Sequence, residues 1–221
     1  HHAGLTAEEC KEPNVNAINK GFCNLEKHIE NIQKFGLQPV VCINAFPSDK
    51  QEEYDVLIEL CAEKGVKAVV STAFADGGKG AEKLAQAIVE QVATASANYQ
   101  PLYLNTASIE SKIETIATTI YGADEVVYSA LANKQLQSIK ELGFEHFSIC
   151  MVKTPASFSD DEKMIGRPTG FTVTVREFEF ASGAGFIIPL LGDVMRMPGL
   201  PKLPNATRID IDDNGVISGL S

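Results

Sequence analysis

The sequence predicts an α/β fold in which the last strands and helices of a parallel sheet are followed by a small α+β domain. In the first half, helical patterns alternate with two short, continuously apolar strand candidates, as expected for a parallel sheet. In the second half, helical patterns come first and strand candidates come later. A polar, irregular stretch from Thr94 to Tyr103 separates the two patterns. We therefore place a domain boundary between residues 98 and 99.

A long amphipathic helix is predicted near the start, because apolar residues recur at steps of three and four between Val15 and Ile32. Gly36 is well placed to end it. Two β-branched runs follow, PVVCIN at 39–44 and KAVVS at 67–71. Each run predicts a strand that is covered on both faces.

Each strand is predicted to lead into a helix. Ser48 begins the sequence S-D-K-Q, which fits a capping box before the helix between the strands, and Gly65 fits the end of that helix. A glycine-rich segment after the second strand leads into a helix that carries Leu84, Ile88 and Val92.

The second half begins with two predicted helices, at about 109–121 and 131–142. Asn214 and Gly215 predict a hairpin turn near the end of the chain. Strand candidates between these features have the sequences SICMV, FTVTVREFEF and GFIIPLL.

Composition narrows the possible partners and the compartment. The formal net charge of -10 repels polyphosphate backbones, so we expect neither nucleic acid nor membrane as a partner. No apolar run approaches the ~20 residues that span a bilayer. Five cysteines without a C-x-x-C pair predict reduced thiols in a cytoplasmic protein. No zinc-ligand spacing occurs, and His28 and His146 lack a nucleophile at a known spacing, so we nominate no catalytic residue and no metal ligand.

The first candidate binding segment is INAFPSD, residues 43–49, directly after the first strand. Ligands of open α/β sheets collect beyond the carboxyl ends of the strands. Asn44 offers an amide, Asp49 offers acceptors, and Phe46 with Pro47 presents a stiff apolar face on which a flat ring can stack. The alternative is that Phe46 belongs to the core and that the polar residues only form a turn and a cap.

The second candidate segment is STAFADGGKG, residues 71–80, after the second strand. Gly77 and Gly78 allow backbone N–H groups to approach an anion near a helix N-terminus. The alternative is a flexible connection with Phe74 tucked inside. The motif G-x-x-x-x-G-K-[ST] is absent from the sequence, so this loop is not a P-loop.

The third candidate is the glycine- and proline-rich tail, whose apolar content favours a buried interface over a reactive site. Its segments read GRPTGFTVTVRE, SGAGFIIPLLGD and MPGLPKLP.

Five blocks of sequence, in order, resemble the carboxy-terminal portion of formate–tetrahydrofolate ligases from about Asn14 onwards. The blocks are GFCNLEKHIENIQKFGLQPVVCINAFPSD, STAFADGGKGAEKLAQAI, KIETIATTIYGADEV, GRPTGFTVTVRE and SGAGFIIPLLGDVMRMPGLPKLP. The resemblance implies an enzyme that uses ATP and Mg²⁺ to convert formate into formyl phosphate and passes the formyl group to tetrahydrofolate.

The resemblance also implies the organisation of the chain. Residues 1–98 would be the carboxy-terminal part of a P-loop-type nucleotide- and folate-binding domain, and residues 99–221 a small α+β domain. The family's amino-terminal P-loop domain is missing from this sequence, so we expect the polypeptide alone to make no formyltetrahydrofolate. We expect a homo-oligomer, because tetramers are common in the family.

Site residues implied by the resemblance lie in the first two candidate segments. Phe46, followed by Pro47, would form one side of the slot that holds the pterin ring. Phe74 would form the other side, where the family usually has tryptophan. By analogy with the base-reading loops of P-loop proteins, we expect Asn44 and Ser71 near the adenine of ATP. The expected nucleotide-binding residues are Asn44, Ser71, Gly77 and Gly78.

Two other functions stay open. The chain is an assembly module if its apolar tail packs against another subunit. It is a GTPase-like regulator if Asn44 and Asp49 read guanine, although their spacing is longer than that of N-K-x-D.

Overall fold

The computed structural model describes residues 1–95, 98–192 and 203–219, and it confirms the predicted α/β class. The α-helices are α1 (Val15–Gln33), α2 (Gln51–Glu63), α3 (Ala73–Asp76), α4 (Glu82–Thr94), α5 (Ile109–Ile116) and α6 (Ala130–Glu141). The strands are β1 (Val40–Asn44), β2 (Lys67–Ser71), β3 (Glu125–Tyr128), β4 (Ser148–Ile149), β5 (Thr172–Ala181), β6 (Phe186–Leu191), β7 (Asp210–Ile211) and β8 (Ile217–Ser218). Within these ranges, no helix is both long and apolar enough to cross a bilayer.

The first half contains a parallel β1–α2–β2 unit, as the alternating pattern predicts. Its core is formed by Phe22 and Ile29 of α1, Cys61 of α2, and Val66 just before β2. The expectation that both strands are covered on both faces is wrong, since Cys42 on β1 is exposed. The described residues give this sheet only two strands, so each strand has an open edge and incomplete cover.

Two details of the helices differ from the sequence expectation. The start of α2 lies at Gln51, and the backbone N–H of Lys50 donates to Glu53 Oε2 at 3.2 Å, so the cap predicted at Ser48 is wrong. The apolar stripe predicted for α4 does not pack, because Ile88 and Val92 are exposed. Ala87 provides the buried side of α4 instead.

The second half contains a mixed four-stranded sheet in the order β3-β5-β6-β4, with β5 and β6 antiparallel and both outer strands parallel to their neighbours. Its core includes residues of α5 and α6 packed on the sheet. Strand β3 was not predicted. The strand candidate at 148–152 is reduced to the two residues of β4 and an isolated bridge from Val152 to Leu190. The hairpin turn predicted at Asn214 and Gly215 is confirmed by the β7–β8 pair.

Side chains of α1 fasten the two halves together at a π-helical turn, Ala117–Tyr121, that follows α5. Carbonyl groups at such a helix end need partners from outside the helix. Lys27 Nζ donates to the carbonyl oxygen of Thr119, and Asn31 Nδ2 donates to that of Ile120, each at 2.9 Å. The same helix therefore belongs to the first core and supplies hydrogen-bond donors to the second half.

Candidate functional site

The two loops predicted to bind a ligand begin side by side. Strands β1 and β2 are in parallel register with Asn44 opposite Ser71, so both strands end at the same edge of the sheet. The N–H of Ala45 donates to the carbonyl oxygen of Ser71 at 2.9 Å and extends the pairing by one residue. This arrangement is the strand-end crevice in which α/β proteins bind ligands.

The aromatic rings of the two loops lie against each other. The ring centroids of Phe46 and Phe74 are 5.4 Å apart, and the ring planes make an angle of 50°. Phe46 is 47% exposed and Phe74 is 71% exposed. Neither ring is part of the core, which removes the alternative readings in which Phe46 is a core residue and Phe74 is tucked inside its loop.

Phe46 is held in place by a turn that closes on Asp49. Asp49 Oδ2 accepts hydrogen bonds from the N–H of Phe46 at 2.8 Å and from the hydroxyl of Tyr54 at 3.0 Å. The N–H of Asp49 donates back to the carbonyl oxygen of Phe46 at 3.0 Å. Pro47 stiffens the same turn, because its ring fixes φ. The Asp49 carboxylate therefore stabilises the turn that carries Phe46.

The glycine-rich segment has regular secondary structure. It folds into α3 and a 3₁₀ turn, Gly77–Ala81, before α4 begins. The N–H of Thr72 donates to the carbonyl oxygen of Gly80 at 3.1 Å, and a Cβ at Gly80 would lie 2.5 Å from the carbonyl carbon of Thr72. Gly77, with a φ of +61°, and Gly78 are exposed with open space around them.

The residues predicted to lie near a nucleotide differ in their exposure and in the elements that carry them. Asn44 is exposed at the end of β1. Ser71, opposite it, is buried, and its Oγ accepts a hydrogen bond from the N–H of Ala73 at 3.4 Å. Gly77 and Gly78 lie on the 3₁₀ turn and not in the first turn of α4, so the N-terminus of that long helix does not act through them.

A crevice of about 850 Å³ opens beside the rings, between the turn at Phe46 and the segment that follows β2. Of the predicted site residues, Phe46 and Pro47 line it. Sequence reasoning missed its other polar lining residues, which are Gln51, Tyr54, Thr72, Asp76, Lys79, Glu82 and Lys83. The four-residue spacing of Lys79 and Lys83 across the start of α4 was the available signal. The lining therefore carries two lysines and two carboxylates, which balance in formal charge.

Among the residues that the structure describes, no group of three or more histidine, cysteine, aspartate or glutamate side chains is arranged to hold a metal ion. Mg²⁺ prefers carboxylate oxygens together with substrate phosphates. We assign no step to the metal here.

The fold is that of an α/β protein with two exposed aromatic rings at the ends of its parallel strands, where proteins of this class bind ligands. The family model described as formate–tetrahydrofolate ligase matches residues 1–221. The chain belongs to the formate–tetrahydrofolate ligase family, and the resemblance seen in the sequence blocks is confirmed. Family membership implies ligase chemistry of one-carbon metabolism, with formate, tetrahydrofolate, ATP and Mg²⁺ as the reactants and cofactors in general.

Proposed function

We propose that this chain supplies the tetrahydrofolate slot of a formate–tetrahydrofolate ligase. The pterin ring lies between Phe46 and Phe74, and Pro47 borders it. The observation that carries the proposal is the pair of exposed rings, 5.4 Å apart, on two loops anchored to paired strand ends. Exposed aromatic surface beside a crevice is favourable for stacking a planar ligand.

Entry of the ligand requires the two rings to separate. A ring stacked at about 3.5 Å from each partner needs roughly 7 Å between the flanking rings. The observed separation is 5.4 Å with a 50° tilt, so one ring has to swing and turn. Phe46 is fixed by the Asp49 turn, whereas Phe74 is 71% exposed. We therefore assign the movement to Phe74.

The contribution of the slot to the reaction is positioning. Holding the amine of tetrahydrofolate against an activated formyl group turns a bimolecular encounter into an oriented one. No side chain of this chain is assigned a bond-making role. The sequence has no P-loop motif, so we propose that the 221-residue chain binds tetrahydrofolate without forming product from formate and ATP. Measurable turnover by the purified chain would contradict this.

For the nucleotide, we propose that the Asn44 amide reaches the adenine and that the N–H groups of Gly77 and Gly78 face an anionic part of the ligand. Their exposure supports this proposal. Ser71 acts indirectly in it, by holding the N–H of Ala73. A ligase carrying Asn44→Ala and retaining an unchanged Michaelis constant for ATP argues against the Asn44 role.

Alanine substitutions of the two rings test the folate slot directly. Loss of one stacking partner removes ~0.5 to 1.5 kcal/mol, so each variant should bind tetrahydrofolate about 2- to 13-fold more weakly. Phe186→Ala is the matched control, because Phe186 is a partly exposed phenylalanine on β6 and outside the crevice. Phe74→Trp should bind more tightly, since an indole offers more stacking area. Parental affinity in both Phe46→Ala and Phe74→Ala refutes the slot.

We also propose that residues 1–98 and 99–221 are two structural units. The first hydrophobic cluster draws its residues from 22–68, and the second draws its residues from 103–191. Limited proteolysis checks the boundary: cleavage near residues 98 and 99 should leave two resistant fragments that stay associated through α1.

Assembly is the second candidate function. The tail predicted to form an interface falls partly at residues 193–202, outside the described residues. The hairpin that follows it exposes Ile209, Ile211, Val216 and Ile217. Contiguous exposed apolar side chains mark interaction surfaces. Analytical sedimentation of the parent chain and of Ile211→Asp tests this role. An oligomeric parent and a dissociated variant support it, and a monomeric parent contradicts it.

A further inference from the structure

A second cavity lies at the junction of the two halves and shares no lining residue with the ring-lined crevice. Its volume is about 580 Å³, within the usual range of small-molecule sites. Its walls come from α1, the segment 99–105, α5 with its π-helical turn, and β4. We call it the junction cavity.

The junction cavity is lined without a permanently charged side chain. Its described lining residues include no aspartate, glutamate, lysine or arginine, and apolar residues such as Ile32, Leu102 and Ile116 dominate. His28 is the lining residue with a basic group. Burial first, and then the nearby charges of Lys153 and Lys27, lower the pKa of His28. The lining itself therefore carries no permanent charge, which favours a neutral occupant.

The lining residues Tyr103 and Tyr121 each have a hydroxyl group that can donate a hydrogen bond. The Tyr103 hydroxyl oxygen accepts from the N–H of Ile149 at 3.0 Å, which leaves its own proton to donate. Burial raises the pKa of Tyr121 to about 12, so that hydroxyl also keeps its proton. An occupant with an acceptor atom is complementary to this pair.

Flat walls complete the site. The rings of Phe35 and Tyr99, both lining residues, have centroids 6.1 Å apart and planes within 5° of parallel. Parallel ring faces favour stacking of a planar compound.

We propose that the junction cavity binds a neutral, flat heteroaromatic compound that carries an acceptor, such as a ring nitrogen or a carbonyl group, at the Tyr103 and Tyr121 hydroxyls. The site stands apart from the tetrahydrofolate slot and does not depend on it. Because α1 and the π-helical turn both border the cavity, a bound compound joins the two halves and raises the melting temperature of the chain.

Quinoline and naphthalene are the probes, since they share shape and size and differ in the ring nitrogen. Ligand-observed NMR titrations at pH 8 measure both affinities. Quinoline should bind roughly 2- to 13-fold more tightly than naphthalene, the range expected for one net hydrogen bond. Tyr121→Phe combined with Tyr103→Phe should bring the two affinities within about twofold of each other. Tyr128→Phe, a tyrosine outside the cavity, should leave the preference unchanged.

Two controls separate this proposal from the folate slot. Phe74→Ala weakens tetrahydrofolate binding if the slot exists, but it should leave quinoline binding unchanged. Equal affinity for quinoline and naphthalene, absence of saturable binding for both, or loss of quinoline binding in Phe74→Ala overturns the junction cavity as proposed.

Discussion

Replacement of Lys112 by methionine should destabilise the second half of the molecule. Lys112 on α5 is fully buried, at 0% exposed, and its amine donates to the carbonyl oxygens of Glu145 at 2.6 Å and Phe147 at 3.0 Å. Methionine fills similar space but leaves both carbonyls without their donor. Glu145 is itself exposed, so water replaces part of the loss, and we expect about 1 kcal/mol for each bond.

The expected total of about 2 kcal/mol corresponds to a fall in melting temperature of roughly 4 to 8 °C for a chain of this size. Thermal and urea unfolding followed by circular dichroism measure it. Lys140→Met is the matched control: Lys140 pairs with Glu110 on α5 and is partly exposed, so its loss should cost less than about 1 kcal/mol. A Lys112→Met chain as stable as the parent refutes the role of the two carbonyl bonds.

The pH dependence of the unfolding free energy tests the role of Lys112 in a second way. Burial lowers the pKa of Lys112, and Glu145 opposes this only in part. Between the lowered folded pKa and the ordinary value of 10.5, the unfolded chain binds more protons than the folded chain. The contribution of Lys112 to stability therefore rises with pH across that window. The stability difference between the parent and Lys112→Met should widen there.

Three further predictions concern the loops and the junction. Asp49→Ala removes the acceptor that fixes the Phe46 turn; it should weaken tetrahydrofolate binding several-fold in a titration while lowering unfolding free energy by only about 1 to 2 kcal/mol. Gly36→Ala would place a Cβ 1.9 Å from a backbone oxygen at φ +72°, so it should lower the melting temperature more than Gly65→Ala, which has φ +69° and open space. Arg167→Met breaks the ion pair with Glu30 at 2.7 Å; it should cost less than about 1 kcal/mol in urea unfolding, and the difference should vanish at high salt.

Secondary-structure elements with a long periodic sequence pattern could be predicted from the sequence. Strands that depend on pairing with a strand far along the chain could not. The apolar period of α1 runs over five turns of helix, and its bounds follow from the sequence closely. Strand β3 has only four residues and exists because Glu125–Tyr128 pairs with β5, a partner far along the chain. The same dependence on pairing shortens β4, which meets only two residues of β6.

In the candidate site, too, the sequence predicted which segments lie together but not the exposure of individual residues. Strand order predicted that the Phe46 and Phe74 segments begin at one edge. The sequence could not show that Asn44 is exposed while Ser71, opposite it in register, is buried. Ser71 Oγ accepts a hydrogen bond from the N–H of Ala73, a contact that the strand pattern does not indicate.

The two rings of the proposed slot have unequal freedom, and this inequality has a physical origin. Phe46 sits on a turn with three hydrogen bonds through Asp49, so its position is set before a ligand arrives. Phe74 lies on a four-residue helix and leaves most of its surface in water. A preset ring fixes the orientation of the heterocycle, since little entropy is lost there on binding. Phe74 contacts the heterocycle only after its ring has moved. A larger ring at position 74 should therefore change the affinity for tetrahydrofolate more than it changes the orientation of the bound heterocycle.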